Sequence, residues 1–449
     1  MSVIVALATP PGTSAIAVLR LSGAGCIALV NGVFRGKDLS EQPSHTVHFG
    51  TIRDGSRTLD EVLVTLFRAP HSFTKEESVE ISCHGSPYVV QEVLQLLLRQ
   101  GARYAKAGEF TQRAFLNGRF DLAQAEAVAD LIASETKAAH EAAIRQMRGG
   151  FSAELKRLRQ QLLDFCSLIE LELDFSEEDV EFASRDELHE RVTETLQLVG
   201  QLTDSFAWGN VVKTGVPTVI AGKPNAGKST LLNAFLNEEK AIVSDIPGTT
   251  RDVIEDEITI GGLRFRFIDT AGLRETTDKI EKIGVDRTKA QMQKAAVVIY
   301  LYDAATFTPP EAQSVRQELE QLNVPFLLVA NQVDKTSGQV PEPLKKFTDL
   351  SISAVQKTDL DTLQDALLRL VETHKVGSDE VVTNLRHYES LQQAQTALQE
   401  VLNGLEGGLT GDFVALDLRN ALHHLGTITG EVTNDEVLGN IFSKFCIGK

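Results

Sequence analysis

The residues that most directly indicate chemistry lie in the middle of the chain, where Ala221 to Thr230 fit the pattern G-x-x-x-x-G-K-[ST]. An apolar run, Val216 to Ile220, precedes them and a helical pattern follows, which is the strand, loop and helix that the pattern requires. Glycines in such a loop let main-chain N–H groups point at phosphate oxygens next to a helix N-terminus. Lys228 would bring positive charge to the terminal phosphates, and the Ser229 hydroxyl would be one Mg²⁺ ligand. The segment therefore predicts a site for the phosphates of a nucleotide.

A second phosphate-sensing element is predicted at Asp269 to Gly272, directly after the strand pattern that ends at Ile268. At the end of that strand, Asp269 would lie beside the Mg²⁺ and the Gly272 amide near the γ-phosphate. Ras-type enzymes continue with a glutamine that orients the attacking water, whereas this chain has Leu273. Because an apolar side chain cannot orient water, something else must stabilise the transition state.

The base of the nucleotide is predicted to be guanine. Asn331 to Asp334 follows the apolar run Phe326 to Ala330. The Asp334 carboxylate can accept hydrogen bonds from both the ring N–H and the exocyclic amine of guanine, and adenine offers no such pair of donors. The backbone of Ser351 to Ala354, at the next strand, is placed to meet the base oxygen. The three ordered elements together predict GTP.

Length and composition place these motifs in a multidomain globular protein. The 449 residues exceed one ordinary core, so about three domains are expected. A net charge of −18 excludes a surface that is basic throughout, so any polyanion must bind at a local basic patch. The four cysteines form no C-x-x-C pair, which favours free thiols. The chain has no apolar run of membrane-spanning length and no basic signal-peptide start, so we expect a cytoplasmic protein without a membrane partner.

The strand and helix patterns divide the chain into four segments. Residues 1–118 alternate short β-prone runs with one helical pattern and predict an α+β domain. Residues 119–210 and 376–449 have apolar residues at three- and four-residue spacing and predict helices, whereas 211–375 alternate strands with helices and predict a doubly wound sheet. Because each helical stretch alone offers a small core, we expect one bundle into which the nucleotide domain is inserted.

Four motifs resemble those of the MnmE (TrmE) family of bacterial tRNA-modification GTPases. They are Gly222 to Ser229, Pro247-Gly248-Thr249-Thr250-Arg251-Asp252, Asp269 to Glu275, and the final Cys446-Ile447-Gly448-Lys449. The resemblance spans the chain and implies a multidomain α/β protein with a folate-binding-like N-terminal domain, a helical bundle and an inserted Ras-like GTPase domain. With the motifs above, it assigns GTP contacts to Asn225, Ala226, Gly227, Lys228, Ser229, Thr230, Ser244, Asp245, Ile246, Pro247, Gly248, Thr249, Thr250, Asp269, Thr270, Ala271, Gly272, Asn331, Gln332, Val333, Asp334, Ser353, Ala354 and Val355.

One residue of the guanine motif departs from the family, which usually has lysine where Gln332 stands. Glutamine has a shorter stem to cover the face of the base and carries no charge. This departure predicts a weaker affinity for the nucleotide, while guanine selection should survive through Asp334.

The resemblance also implies how hydrolysis proceeds without the glutamine. A K⁺ ion would lie where an arginine finger would otherwise supply charge, and Glu281 would polarise the attacking water. Thr250 would join Ser229 as a Mg²⁺ ligand. Taken alone, Glu281 fits a solvated helix residue equally well, and Arg251 is the rival arginine-finger candidate. The implied K⁺ ligands are Asn225, Ser244, Ile246 and Thr249.

For the first 118 residues the resemblance implies a domain that binds folate and forms dimers. Its opening motif is similar to Ala8 to Gly12 and Leu19 to Gly23, and its second motif to Ser72 to Gly85. A carboxylate can match the amide-like donors of a pterin ring, and cations can bind the glutamyl tail. Without the resemblance, the assigned residues would be ordinary strand or surface residues. The implied folate contacts are Arg20, Glu80, Arg119 and Lys449.

Two further features have more than one interpretation. A basic cluster near residues 99–119 contains Glu109 as its only acid, and it fits a polyanion contact or a solvated basic face. The resemblance gives Cys446 a catalytic role, as a nucleophile toward a uridine base. The same residue fits an ordinary tail cysteine, because no neighbouring histidine is visible to activate it. The basic cluster consists of Arg99, Arg103, Lys106, Arg113 and Arg119.

The predicted function is that of a homodimeric, K⁺-stimulated GTPase. The resemblance implies an FAD-dependent, MnmG-like partner in a heterotetramer or larger complex, and 5-formyl- or methylene-tetrahydrofolate as cofactor. Together they would install an aminomethyl or carboxymethylaminomethyl group at C5 of the wobble uridine of certain tRNAs. The alternatives are a ribosome-assembly GTPase and a GTP-regulated folate enzyme. The first would need an RNA-binding appendage such as a KH fold, and the chain shows no suitable G-x-x-G loop.

Overall fold

The chain divides into two compact units. The first comprises residues 1–133, 143–195 and 393–449, and the second comprises residues 134–142 and 196–392. The computed structural model describes residues 2–174, 184–239, 256–268, 291–372 and 381–448.

A seven-stranded sheet forms the N-terminal part of the first unit. Its spatial order is β3-β4-β5-β6-β2-β1-β7, with antiparallel neighbours except for the parallel pair of β1 and β7. The predicted strands and the α+β class of this region are confirmed, whereas the two-residue strands are too short for any periodicity to reveal. The strands are β1 (Ile4–Leu7), β2 (Ile16–Ser22), β3 (Phe34–Arg35), β4 (Thr46–Asp54), β5 (Arg57–Phe67), β6 (Ser78–His84) and β7 (Arg103–Tyr104).

One face of this sheet is buried beneath two helices. Helix α1 (Cys26–Val33) and helix α2 (Pro87–Arg99) share a core with alternate residues of the strands, such as Val62 and Val64 of β5. Leu63, which lies between them, is exposed because successive strand residues point to opposite faces. The opposite face is exposed along β4 and β5, whereas Ile4 and Ala6 of β1 are buried there against Phe110.

Helices make up the rest of the first unit and continue into the second. They are α3 (Glu109–Leu116), α4 (Leu122–Ala133), α5 (Lys137–Met147), α6 (Ser152–Asp174), α7 (Arg185–Thr214), and, late in the chain, α12 (Leu385–Glu406), α13 (Gly411–Thr429) and α14 (Asp435–Ser443). The division between the units falls within α5, α7 and α12. Among the residues that the structure describes, no helix combines the length and apolarity needed to cross a membrane.

Helices from before and after the nucleotide motifs pack together, as the sequence predicts. In α6, Arg159 donates to the carbonyl of Leu422 in α13 at 3.2 Å and forms an ion pair with Glu431. Apolar side chains on both helices are buried, including Leu162 and Leu418. The chain therefore enters and leaves the nucleotide-binding segment through one bundle.

The second unit contains a six-stranded sheet in the order β13-β12-β11-β8-β10-β9. All neighbours are parallel except β9, which pairs antiparallel with β10 at the edge. The strands are β8 (Val216–Gly222), β9 (Asp256–Ile260), β10 (Leu263–Phe267), β11 (Val297–Asp303), β12 (Phe326–Asn331) and β13 (Leu350–Ser351). The accompanying helices are α8 (Lys228–Glu239), α9 (Pro309–Gln321), α10 (Glu342–Lys345) and α11 (Leu360–Glu372).

The order of these strands determines where a ligand can bind. From β8 the chain goes first to β9 and β10 on one side, and then to β11, β12 and β13 on the other. Ligands of open α/β sheets bind at the carboxyl ends of the strands where the strand order reverses in this way. The phosphate motif begins at that end of β8, so the doubly wound sheet is confirmed and positions the motif.

The basic cluster predicted near residues 99–119 is divided between the surface and the interior. Arg113 is buried and pairs with both Glu76 and Glu109, each at 3.1 Å. Arg103 also binds Glu109, at 2.5 Å. Burial raises the pKa of Glu109, but hydrogen bonds from Arg103, the Lys106 amide and Arg113 outweigh it and hold the pKa below its usual value. These cations therefore connect α3 to the sheet.

We predict that Arg113→Met lowers the free energy of unfolding of the first unit by about 3 kcal/mol, since two largely buried carboxylates would lose a cation. Calorimetric thermal unfolding measures the change. The control is Arg99→Met, because the pair of Arg99 with Asp54 is exposed and contributes about 1 kcal/mol or less. Equal unfolding temperatures for the two variants would contradict the structural role of Arg113.

The stabilisation that Glu109 gives to the wild-type protein depends on pH. Its contribution to the free energy of unfolding is complete above pH 4.5, its ordinary pKa, and is lost as the pH falls through the lower native pKa.

Candidate functional site

The phosphate loop connects β8 to α8 through tight backbone. Gly222 has φ 141°, and a Cβ there would lie 2.1 Å from the carbonyl oxygen of Leu301. Asn225 and Gly227 also have positive φ angles, of 62° and 93°. Glycine adopts this region readily and asparagine does so more often than most residues, which explains the choice of residues at these positions.

Lys228 begins α8 and turns its ammonium group back over the loop. Its Nζ donates to the carbonyls of Gly222 and Lys223 at 2.8 and 2.9 Å. Burial lowers the pKa of Lys228. In the described parts of the chain this ammonium meets main-chain oxygens and no carboxylate, so an anion at the N-terminus of α8 would supply the missing counter-charge.

Asn331 joins the phosphate loop to the segment predicted to read guanine. The side chain is 1% exposed, and its Nδ2 donates to the carbonyl of Ala226 at 2.8 Å. Its Oδ1 accepts from the amide of Ala354 at 3.0 Å. One buried amide therefore connects three segments that are far apart in sequence.

The carboxylate predicted to select guanine lies beside the next loop. Ser353 Oγ donates to Asp334 Oδ1 at 2.6 Å, which orients the carboxylate. Val333 is buried and holds the loop against the core, whereas the Asp334 carboxylate is exposed and accessible to a ligand. Val355, also predicted to contact GTP, is 70% exposed.

The other predicted contacts of the nucleotide site lie outside the described residues. They are Ser244, Asp245, Ile246, Pro247, Gly248, Thr249, Thr250, Asp269, Thr270, Ala271, Gly272 and Glu281. Among the described members of the predicted set, the structure brings together the phosphate loop, Asn331 to Asp334 and Ser353 to Ala354.

A second group of predicted residues meets on the face of the N-terminal sheet opposite α1 and α2. Arg20 lies opposite Glu80 in neighbouring strands and donates through Nε and Nη2 to Glu80 Oε1 at 2.9 and 2.7 Å. The guanidinium groups of Arg20 and Arg119 lie 5.9 and 5.4 Å from the ring centre of Phe73. Phe73 was not predicted as a site residue, although it lies within the Ser72 to Gly85 motif.

The end of the chain lies against this group. Gly448, with φ 96°, packs so closely on β1 that a Cβ would lie 2.5 Å from the carbonyl oxygen of Leu7. The carbonyl of Gly448 accepts from Arg20 Nη1 at 3.4 Å, and the carbonyl of Cys446 accepts from the Gly108 amide at 3.3 Å. The two terminal regions therefore contribute to one site, while Lys449 lies outside the described residues.

Cys446 differs from the other cysteines in its surroundings. Burial raises the pKa of the Cys83 and Cys166 thiols to about 11, and it also raises that of Cys26. Cys446 is exposed, so it is the accessible thiol among the four. Solvent access is a requirement for a nucleophile that acts on a macromolecular substrate.

Comparisons with known proteins cover nearly the whole chain. The family model for the GTP-binding protein TrmE N-terminus matches residues 3–119, and the model for the MnmE helical domain matches residues 122–446. A tRNA modification GTPase MnmE from Cytophaga hutchinsonii is 55% identical over 448 residues, which cover 99% of this chain and 97% of that protein. The MnmE proteins of Flavobacterium johnsoniae and Bacteroides fragilis are 54% and 50% identical, each with 99% of both chains covered.

The chain belongs to the MnmE family of tRNA modification GTPases. The predicted membership is therefore confirmed, as is the fold class that accompanied it. Among solved structures, a GTP-binding protein from Sulfolobus solfataricus in complex with GDP covers 48% of this chain and 67% of that chain at 19% identity. Its TM-score of 0.25 is too low to bear on fold or function.

In this member of the family, two features of the nucleotide site escaped the sequence motifs. Lys335 contacts the Gln332 side chain, and Asp303, at the end of β11, lies 3.5 Å from the Lys335 ammonium. Asp303 follows the apolar run of β11. Its place at the carboxyl end of a predicted parallel strand, where ligands of such sheets bind, is the sequence signal that could have identified it as a site residue.

We predict that Gly227→Ala destabilises the second unit more than Gly338→Ala does. Both glycines have positive φ, of 93° and 77°, so alanine strains the backbone at either position. At Gly227 the new Cβ would also lie 2.2 Å from Asn331 Nδ2, whereas at Gly338 nothing lies within 4 Å. Thermal unfolding without nucleotide measures the difference, which we expect to be about 1–3 kcal/mol because the Asn331 bridge must break. Equal destabilisation would show that the bridge does not constrain the loop.

Proposed function

We propose that this protein is a K⁺-stimulated GTPase that acts in the modification of tRNA wobble uridines. The observation that carries the nucleotide half of the proposal is the Asn331 bridge, which holds Ala226 of the phosphate loop and Ala354 near the guanine-selecting carboxylate. Relatives at 50–55% identity are named tRNA modification GTPase MnmE, which supports the second half.

Two described residues, Ser229 and Asn225, suit the ions that the proposal requires. Ser229 lies in the first turn of α8 and, with Thr250, would hold Mg²⁺ beside the phosphates. A K⁺ ion would stabilise the charge that develops between the β- and γ-phosphates, as an arginine finger does elsewhere. Asn225 is held in the left-handed region inside the loop, where it is proposed as a K⁺ ligand with Ser244, Ile246 and Thr249. Glu281 would polarise the attacking water.

We expect GTP hydrolysis to be faster in K⁺ than in Na⁺ at equal ionic strength. Glu281→Ala should retain GTP binding and lose about 10²-fold or more in turnover, because a group that activates water contributes that much. Phosphate release and equilibrium binding, measured on the same preparations, separate the two effects. Glu342→Ala is the control, since Glu342 is an exposed residue paired with Lys345. Equal rates in the two salts would exclude the cation mechanism, and an active Glu281→Ala variant would exclude that residue.

A one-carbon tetrahydrofolate, in the 5-formyl or methylene form, is proposed as the second cofactor. Both hydrogen bonds from Arg20 go to Glu80 Oε1, and among the described residues none reaches Oε2. That oxygen can accept from a pterin ring. The exposed guanidinium of Arg119 and the half-buried ring of Phe73 can meet the anionic tail and the flat ring system of a folate.

Arg20→Met should weaken the binding of 5-formyl-tetrahydrofolate about tenfold or more, since charge-assisted hydrogen bonds to the ligand and to Glu80 would be lost. Isothermal titration calorimetry without nucleotide measures this affinity independently of GTP. Arg35→Met is the matched control, because Arg35 is exposed and donates to the carbonyls of Gly32 and Phe34. Unchanged affinity in Arg20→Met would remove this face from folate binding.

The open sheet face also supports the proposal of a homodimer. Ile16, Val47, Phe49 and Leu63 lie on it and are 46–67% exposed. Their strands pair in the register that places Phe49 opposite Leu63, so these side chains adjoin one another on the face that carries Arg20. Clustered exposed apolar side chains are typical of a surface that another protein covers.

The remaining partners follow from the family. We propose tRNA as substrate, an FAD-dependent, MnmG-like protein as partner, and Cys446 as a residue of the modification chemistry. Two residues after Cys446, the Gly448 carbonyl accepts from Arg20, which would bring the end of the chain to the one-carbon donor. The rival assignment as a folate enzyme that GTP merely regulates shares this site and differs in predicting folate turnover without tRNA.

A further inference from the structure

The side chain of Gln332 makes two contacts. Its Nε2 donates to the main-chain carbonyl of Asn225 at 2.8 Å, and its Oε1 accepts from the ammonium of Lys335. Gln332 precedes a 3₁₀-helix at Val333–Thr336. The Lys335 amide donates to the Gln332 carbonyl at 3.0 Å, so this turn brings Lys335 back to Gln332.

These two contacts determine the orientation of the amide. The Asn225 carbonyl can only accept a hydrogen bond and the Lys335 ammonium can only donate one. A flipped amide would place its oxygen against the carbonyl and its NH₂ group against the ammonium, so both contacts would become repulsive. Lys335 therefore selects the orientation in which Gln332 can bind the phosphate loop.

Lys335 is itself held in place by a third residue. Its Nζ lies 3.5 Å from Asp303 Oδ2, and the other oxygen of that carboxylate accepts from the Ala305 amide at 2.8 Å. The carboxylate is thus fixed by its own turn at the end of β11. An ammonium between Asp303 and Gln332 has less freedom than an ordinary surface lysine.

The contact with Asn225 extends the Asn331 bridge. Asn331 donates to the carbonyl of Ala226 and Gln332 donates to that of Asn225, so neighbouring side chains bind neighbouring carbonyls of the phosphate loop. A lysine at position 332 carries donors only and would serve this carbonyl without help. Glutamine needs an orienting donor, and Lys335 supplies it.

We propose that Lys335 is a positioning residue for guanine-nucleotide binding, which orients Gln332 so that the guanine-reading segment remains tied to the phosphate loop. The inference rests on the proposed function, since the ligand it concerns is the guanine nucleotide.

The test is a double-mutant cycle on the full chain with N-methylanthraniloyl-GDP as the probe. Lys335→Met should accelerate its dissociation about three- to tenfold, the range for loss of one hydrogen-bonded contact. In the Gln332→Lys background the same substitution should change the rate less than twofold. Lys335→Arg should preserve the wild-type rate, because arginine also donates to Oε1. Lys345→Met, at an exposed lysine paired with Glu342, is the matched control.

A further variant separates the two contacts of residue 332. Gln332→Glu keeps an acceptor for Lys335 but places an oxygen against the Asn225 carbonyl, so it should accelerate dissociation even with Lys335 present. Equal effects of Lys335→Met in the two backgrounds, or no effect with Gln332, would overturn the inference alone. A wild-type protein that does not bind the probe would overturn the proposed function and this inference together.

Discussion

The nucleotide-binding unit depends on one buried amide. Asn331 lies at the end of β12. Its side chain donates to the carbonyl of Ala226 in the phosphate loop and accepts from the amide of Ala354, which follows β13. A buried polar group that loses its partner costs about 1–3 kcal/mol, so these segments stabilise one another only when all are in place. The close approach of Gly227 to this side chain shows why the loop has no room for a larger residue.

The first unit depends on a comparable constraint made from charges. Arg113 lies between two carboxylates in the interior, and Ser22 donates to one of them, Glu76, at 2.8 Å. Removing Arg113 would take a cation away from two largely buried carboxylates, which is costly in the low dielectric of the interior. The network holds α3 against the sheet. The amide of Gly108, just before α3, donates to the carbonyl of Cys446 near the end of the chain. These ion pairs thus help to position Cys446 beside Gly108 and Gly448 beside Arg20.

Several conclusions followed from residue type and spacing because they depend on local chemistry. They concern the glycines and lysine of the phosphate loop, the Asn331 and Asp334 pair, and the strand alternation around Leu63. In each case the residues that determine the conformation or the chemistry lie within one short segment. The basic cluster near α3 could not be interpreted in this way. Whether Arg113 faces solvent or a buried carboxylate depends on Glu76, which is distant in sequence, and no local pattern encodes that pairing.

The sequence by itself determined the class of ligand, the doubly wound sheet and the family, because phosphate loops and strand periodicity are properties of contiguous residues. Only the tertiary structure decided which distant groups meet. It placed Phe73 beside two arginines, brought the carbonyl of Gly448 to Arg20 and brought the Lys335 ammonium to the side-chain oxygen of Gln332. Each of these contacts joins side chains or termini whose approach depends on the packing of whole elements, and packing is a property of the folded chain.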